Sequence, residues 1–185
     1  MSGMGNGGKL VFMIARLSLL LALLVGVGAS AATFYCDPAR GSAQGDGSAA
    51  RPWRTIEDVL QNRLIQLRDR DGRLANPDAP VKSGDIVLLR SGWHGLLRIG
   101  SGYNEQRLTV AAESGHTPQV GWIEIGEGKN WCVRGLTVSP SLAPLPLGRV
   151  PHSLVMLGER GGEESANLVV EDCFIYSVLE TAGWT

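Results

Sequence analysis

The stretch GDGSAARP at 45–52 sets Gly45, Gly47 and Ala50 at the spacing G-x-G-x-x-A, the pattern by which a strand-to-helix loop cradles a pyrophosphate. Such a loop opens directly into its helix, yet here Arg51-Pro52-Trp53 intervene before any helical pattern begins. The positions about twenty residues beyond Gly47 also fall within that helical pattern, where a dinucleotide site needs an acid on a second strand. Nucleotide binding is therefore not expected, and Asp46-Gly47 reads as a tight turn. Asp37 and Asp46 offer oxygens to a hard cation such as calcium, without the D-x-D-x-D-G spacing of a calcium loop. His94, His116 and His152 all fall in loop-like stretches, and no two have the spacing of a metal-binding pair. Trp122 and Trp131 are rings of the kind that stack on sugars.

The elements that must carry these groups begin after an export signal. Lys9 and Arg16 precede an apolar run from Leu17 to Val27, and Ala29-Ser30-Ala31 then supplies an A-x-A cleavage site. The run is too short, and its far flank too uncharged, for a good membrane anchor. Residues 1–31 are thus expected to be a signal peptide, with a secreted or periplasmic product and no stable membrane insertion after cleavage. Seventeen basic against eighteen acidic residues give a formal charge of −1, so no net basic field gathers nucleic acid. Cys36, Cys132 and Cys173 are odd in number and form no C-x-x-C pair, which points to neither a zinc site nor a redox motif.

One helix is expected, from about Ile56 to Arg68. Ile56, Val59, Leu60, Leu64 and Leu67 share a helical face, and Thr55 with Asp58 forms a variant capping box. The Pro- and Gly-punctuated stretch 69–85 reads as a loop. Beyond it, four apolar segments stack on one another: DIVLLR (85–90), RLTVAA (107–112), NWCVRGLTVS (130–139) and NLVVEDCFIYS (167–177). Ile86, Leu108, Trp131 and Leu168 align, at steps of 22, 23 and 37 residues, as do Leu88, Val110, Val133 and Val170. The proline-rich stretch SPSLAPLPLGRVPHS accounts for the long step. GLLRIG (95–100), GWIEIG (121–126) and SLVMLG (153–158) supply further strands in between. Such returns without intervening helices predict an all-β solenoid, a parallel β-helix. Alternation puts Trp131 and Val133 inside, with Cys132 and Arg134 outside. A phase shift at the equivalent Gly135 and Asp172 returns Leu136, Val138, Cys173 and Ile175 to the core. Asn130 and Asn167, also equivalent, are expected to bond their amides along one turn.

FYCDPARGSAQGDGSAARPWRTIEDVL followed by SGDIVLLRSGWH resembles the N-terminal portion of secreted right-handed parallel β-helix proteins of the pectate-lyase-like superfamily. The resemblance implies residues 32–84 as an N-terminal strand, Gly-rich loop and capping helix, and residues 85–185 as β-helix coils. The helix would cover the open core of the first coil. VLETAGWT supplies no matching cap, so the coils are expected to be incomplete at the C-terminal end and continued by more chain or a partner.

The superfamily's chemistry implies a polysaccharide lyase, or a related epimerase or glycoside hydrolase, with an acidic polysaccharide as partner. A lyase removes the C5 proton with a base and neutralises the neighbouring carboxylate with a cation or an arginine. The outward column Leu89, Ala111, Arg134, Glu171 turns polar only at its end. Arg134 and Glu171 are accordingly the groove candidates, Glu171 and Asp172 the pair that would hold calcium, and Trp122 the outward ring for substrate. An exposed Arg134–Glu171 ion pair is the simpler role for those two side chains. The competing class is a non-catalytic β-helix that binds glycans or gives structure.

Overall fold

The computed structural model describes residues 30–148, 152–158 and 165–177. Most of the expected signal peptide, the end of the proline-rich insertion (149–151) and VLETAGWT lie outside the described residues.

Chain order begins with β1 (Thr33–Cys36), α1 (Ile56–Gln61), β2 (Ile86–Leu89), β3 (Gly92–Trp93) and β4 (Leu97–Ala112). It continues through β5 (Pro118–Val120), β6 (Ile123–Arg134), β7 (Thr137–Val138), β8 (Val155–Leu157), β9 (Ala166–Glu171) and β10 (Phe174–Ile175). A six-stranded sheet runs β1-β2-β4-β6-β8, with β9 also on β6, and a four-stranded sheet runs β10-β7-β5-β3. Every strand pairing in both is parallel. The protein is therefore mostly β, with parallel sheets and very little helix.

The inner column is Val87, Val110 and Val133, at 0–1% exposure, and Val170 continues it. This corrects the first rung of the expected alignment, because Val110 pairs with Val87 and not with Leu88. A one-residue slip exchanges the two faces of a strand, so Val87 and Leu89 are buried while Ile86 and Leu88 are only partly so. The outer column consequently reads Leu88, Ala111, Arg134, Glu171, with Leu88 in place of Leu89. The later rungs pair as expected, Leu108 with Trp131 and Trp131 with Leu168. Gly135 and Asp172 both take positive φ, at 75° and 53°, and Leu136 and Val138 return to the core. Ile175, expected inside with them, is 44% exposed.

The helix ends seven residues early. Thr55 caps its start, accepting the Asp58 N–H at 3.0 Å, and Ile56 and Val59 are fully buried. After Asn62, Arg63 takes φ 54°, and the bonds Arg63 N–H to Leu60 O and Leu64 N–H to Val59 O close a Schellman motif. No glycine marks this stop. Asn76 then holds the chain extended, accepting from Leu67 N–H at 2.8 Å and donating to Arg63 O and Ile65 O. Leu64 and Leu67 reach the core from this extended stretch, so their spacing suited a helix without requiring one.

Residues 41–53 complete the free side of β1. Tyr35 N–H donates to Gly47 O, Trp53 N–H to Tyr35 O, and Asp37 N–H to Trp53 O. Trp53 stacks on Phe34 at 5.4 Å, and its indole N–H donates to Gly45 O at 2.9 Å. A Cβ on Gly45 would lie 2.4 Å from Pro52 O, and one on Gly47 would lie 2.6 Å from the Trp53 ring. These glycines let the loop fold tightly around Trp53. Asp46 accepts the Ser48 N–H at 3.0 Å, making the expected turn.

Candidate functional site

Asp37, Arg90 and Glu113 each follow the last residue of a strand, and they form three successive rungs of one ladder. Cys36 pairs with Leu89 and Leu89 with Ala112, which places the next three side chains in a row of alternating charge. Arg90 Nε donates to Glu113 Oε2 at 2.7 Å, and Arg90 Nη1 to Asp37 Oδ2 at 3.3 Å. The guanidinium also lies 5.3 Å from the centre of the Tyr35 ring. Burial pushes the Asp37 carboxyl upward. The Ala39 and Arg40 N–H groups and Arg90 together outweigh it and hold that pKa below the usual carboxylate value. Glu113 in turn raises the Arg90 pKa, with Asp37 adding to the effect.

Beside this row the chain makes two turns that bring a serine and a histidine together. Gly115, at φ 80°, allows the turn in which His116 N–H donates to Glu113 O. The imidazole then swings back over its own turn, with Nε2 3.6 Å from Glu113 Oε2. Ser91 N–H donates to His116 Nδ1 at 3.0 Å, and Ser91 Oγ lies 3.2 Å from the same nitrogen. Because Nδ1 accepts a backbone N–H, the proton of the neutral ring sits on Nε2, facing Glu113. Thr117 N–H donates to Ser91 Oγ at 3.0 Å. Ser91, Glu113 and His116, with Ala39, Arg40 and Ala49, line an open cleft of about 510 Å³. Arg40 is exposed and has no ion-pair partner among the described residues.

His94 lies in the loop expected, but as a buried group. It is fully buried, with Nε2 2.7 Å from Arg90 O and Nδ1 unpartnered. Burial lowers its pKa to about 4.

The residues singled out from sequence lie elsewhere. Arg134 and Glu171 pair with each other at 4.0 Å and are both exposed. Glu171 also accepts the Cys132 thiol at 3.5 Å. Cys132, expected outside, is only 3% exposed. Asp172 sits at the exposed turn after Glu171. Among the described residues no group of three or more His, Cys, Asp or Glu side chains gathers to hold a metal. Trp122, expected outside, is 7% exposed with its indole N–H unpartnered, and it offers no surface for a sugar to stack on.

Arg90, Ser91 and Glu113 do not stand out as site residues in the sequence, and His116 lies there in a loop with no evident partner. The signal was the 23-residue step that aligns Arg90 with Glu113; a 22-residue step sets Arg90 against Ala112 and hides the pair.

No family model matches the chain, and neither a curated protein nor a solved structure matches it. No helix of the described residues is long and apolar enough to cross a membrane.

Proposed function

We propose that the chain is an exported right-handed parallel β-helix protein of polysaccharide-lyase type, acting on an acidic polysaccharide. Support for the solenoid comes from two parallel sheets whose strands recur along the chain, with inner residues returning at 87, 110, 133 and 170. Parallel crossovers of this kind are right-handed in nearly all proteins, which favours that hand. The apolar leader at 1–31 favours export.

The observation that carries the functional reading is the convergence of His116 and Arg40 on one cleft. β-Elimination from a uronate needs a base for the C5 proton and a cation against the adjacent carboxylate. The His116 imidazole, which lines the cleft, suits the first role. An exposed guanidinium with no ion-pair partner among the described residues suits the second. A non-catalytic, glycan-binding or structural β-helix is the second reading. It is favoured by the pairing of Arg134 with Glu171 and by Arg90 being engaged with two carboxylates.

Affinity electrophoresis through gels cast with pectate, alginate, chondroitin or a neutral glucan tests the partner. The acidic polymers should retard the protein, the neutral one should not, and Arg40→Ala and added salt should each weaken the retardation. Equal mobility in all four gels would contradict an acidic-polysaccharide partner.

A further inference from the structure

We propose that Ser91, His116 and Glu113 form an acyl-transfer site that hydrolyses small carboxylic esters, of the kind carried on sugar hydroxyls. Only the sugar carrier rests on the reading above; the ester chemistry rests on the geometry of the three side chains.

A serine hydroxyl becomes a nucleophile when a neighbouring base can take its proton and a third group holds that base in the right tautomer. Ser91 Oγ is 3.2 Å from His116 Nδ1, the unprotonated ring nitrogen, whose lone pair is shared by the Ser91 N–H and the hydroxyl. Thr117 N–H occupies one Oγ lone pair and leaves the hydroxyl proton to point toward the imidazole. His116 Nε2–H faces Glu113 Oε2 at 3.6 Å, the side on which a carboxylate would stabilise the imidazolium. Arg90 Nε fixes that carboxylate at 2.7 Å, and Asp37 fixes Arg90 from the other side. Ser91 is exposed at the cleft, where Ala39 and Ala49 leave room for a short acyl chain and Arg40 supplies a cation for the developing oxyanion.

In the first half-reaction the bond from Ser91 Oγ to the acyl carbon forms and the ester's bond to its alcohol oxygen breaks. The hydroxyl proton passes to His116 Nδ1 and from there to the leaving alcohol. Water then attacks the acyl-serine and gives a proton to Nδ1. The Oγ–acyl bond breaks, the carboxylic acid leaves, and the proton returns to Oγ. One ester and one water yield one acid and one alcohol, with no change in oxidation state.

Glu113 is a positioning residue, acting through His116. Glu113→Gln should lower kcat for ester turnover while leaving KM unchanged.

The test is reaction of the full chain with a fluorophosphonate probe, followed by peptide mass spectrometry, alongside p-nitrophenyl acetate hydrolysis. The expected result is one adduct, on Ser91, formed about 10³-fold more slowly in His116→Ala, with ester turnover lost to a similar degree in Ser91→Ala. The fluorophosphonate probe and p-nitrophenyl acetate contain no uronate, so this proposal and the lyase reading can fail separately. Labelling of the unmutated protein needs no variant to fold. Absence of a Ser91 adduct, or equal labelling in a folded His116→Ala protein, would overturn the proposal.

Discussion

Asn167 Nδ2 donates to Asn130 Oδ1 at 2.9 Å, and Asn130 Nδ2 donates in turn to Asn104 O at 2.8 Å and Glu105 O at 3.1 Å. Both asparagines have left-handed backbones, at φ 55° and 59°. The same residue type thus satisfies two demands of the turn, a tolerated positive φ and an amide that ties one strand return to the next. Asn130→Ala should cost about 2–4 kcal/mol, combining lost side-chain bonds with left-handed strain. Asn130→Gly removes the bonds without the strain and should cost about 1 kcal/mol less. Urea denaturation of both variants measures the difference, and equal costs would contradict the strain contribution.

Gly128 and Gly100 should respond oppositely to alanine. A Cβ on Gly128 would lie 2.4 Å from Gly102 O, the oxygen that accepts the buried Trp131 indole N–H at 2.7 Å. Nothing lies within 4 Å of the Cβ position on Gly100. Gly128→Ala should destabilise by more than about 2 kcal/mol and shift the tryptophan emission, whereas Gly100→Ala should stay within about 1 kcal/mol of the parent. Thermal melts followed by fluorescence separate the two.

His94 links stability to acid. Its Nε2–H donates to Arg90 O, so protonation would place charge on the buried, unpartnered Nδ1. With a folded pKa of about 4 against an ordinary 6.5, the unfolded chain binds the proton first. The contribution is therefore complete above about pH 6.5, falls as pH drops toward 4, and loses no more below that. A loss of about 3 kcal/mol is expected across the window. His94→Gln should flatten that part of the stability–pH curve, and an unchanged slope would assign it to other groups.

The sequence made legible those features that repeat with a fixed step and a fixed residue type. The rungs Val110–Val133–Val170, the asparagine pair and the turns at Gly135 and Asp172 emerged from such repetition, and the Thr55 cap from its three-residue spacing to Asp58. The helix stop at Arg63 was hidden because an arginine occupies the left-handed position where glycine is usual. Cys132 was placed outside by alternation and Trp122 because Trp131 took the core, and neither ground says what packs over a side chain. The Asp37–Arg90–Glu113 row was lost to a single-residue slip at Val87. Ile86 and Leu88 are as apolar as Val87 and Leu89, so the hydrophobic pattern alone did not fix which pair faced inward.

The most direct measurement is the ultraviolet absorbance of unsaturated uronates during incubation of the protein with pectate, alginate and chondroitin. Absorbance should rise with at least one of the three, a rise lost in His116→Ala and in Arg40→Ala and retained in Arg134→Ala, whose exposed pair is worth less than about 1 kcal/mol. No rise with any of the three, from folded protein, would contradict a lyase.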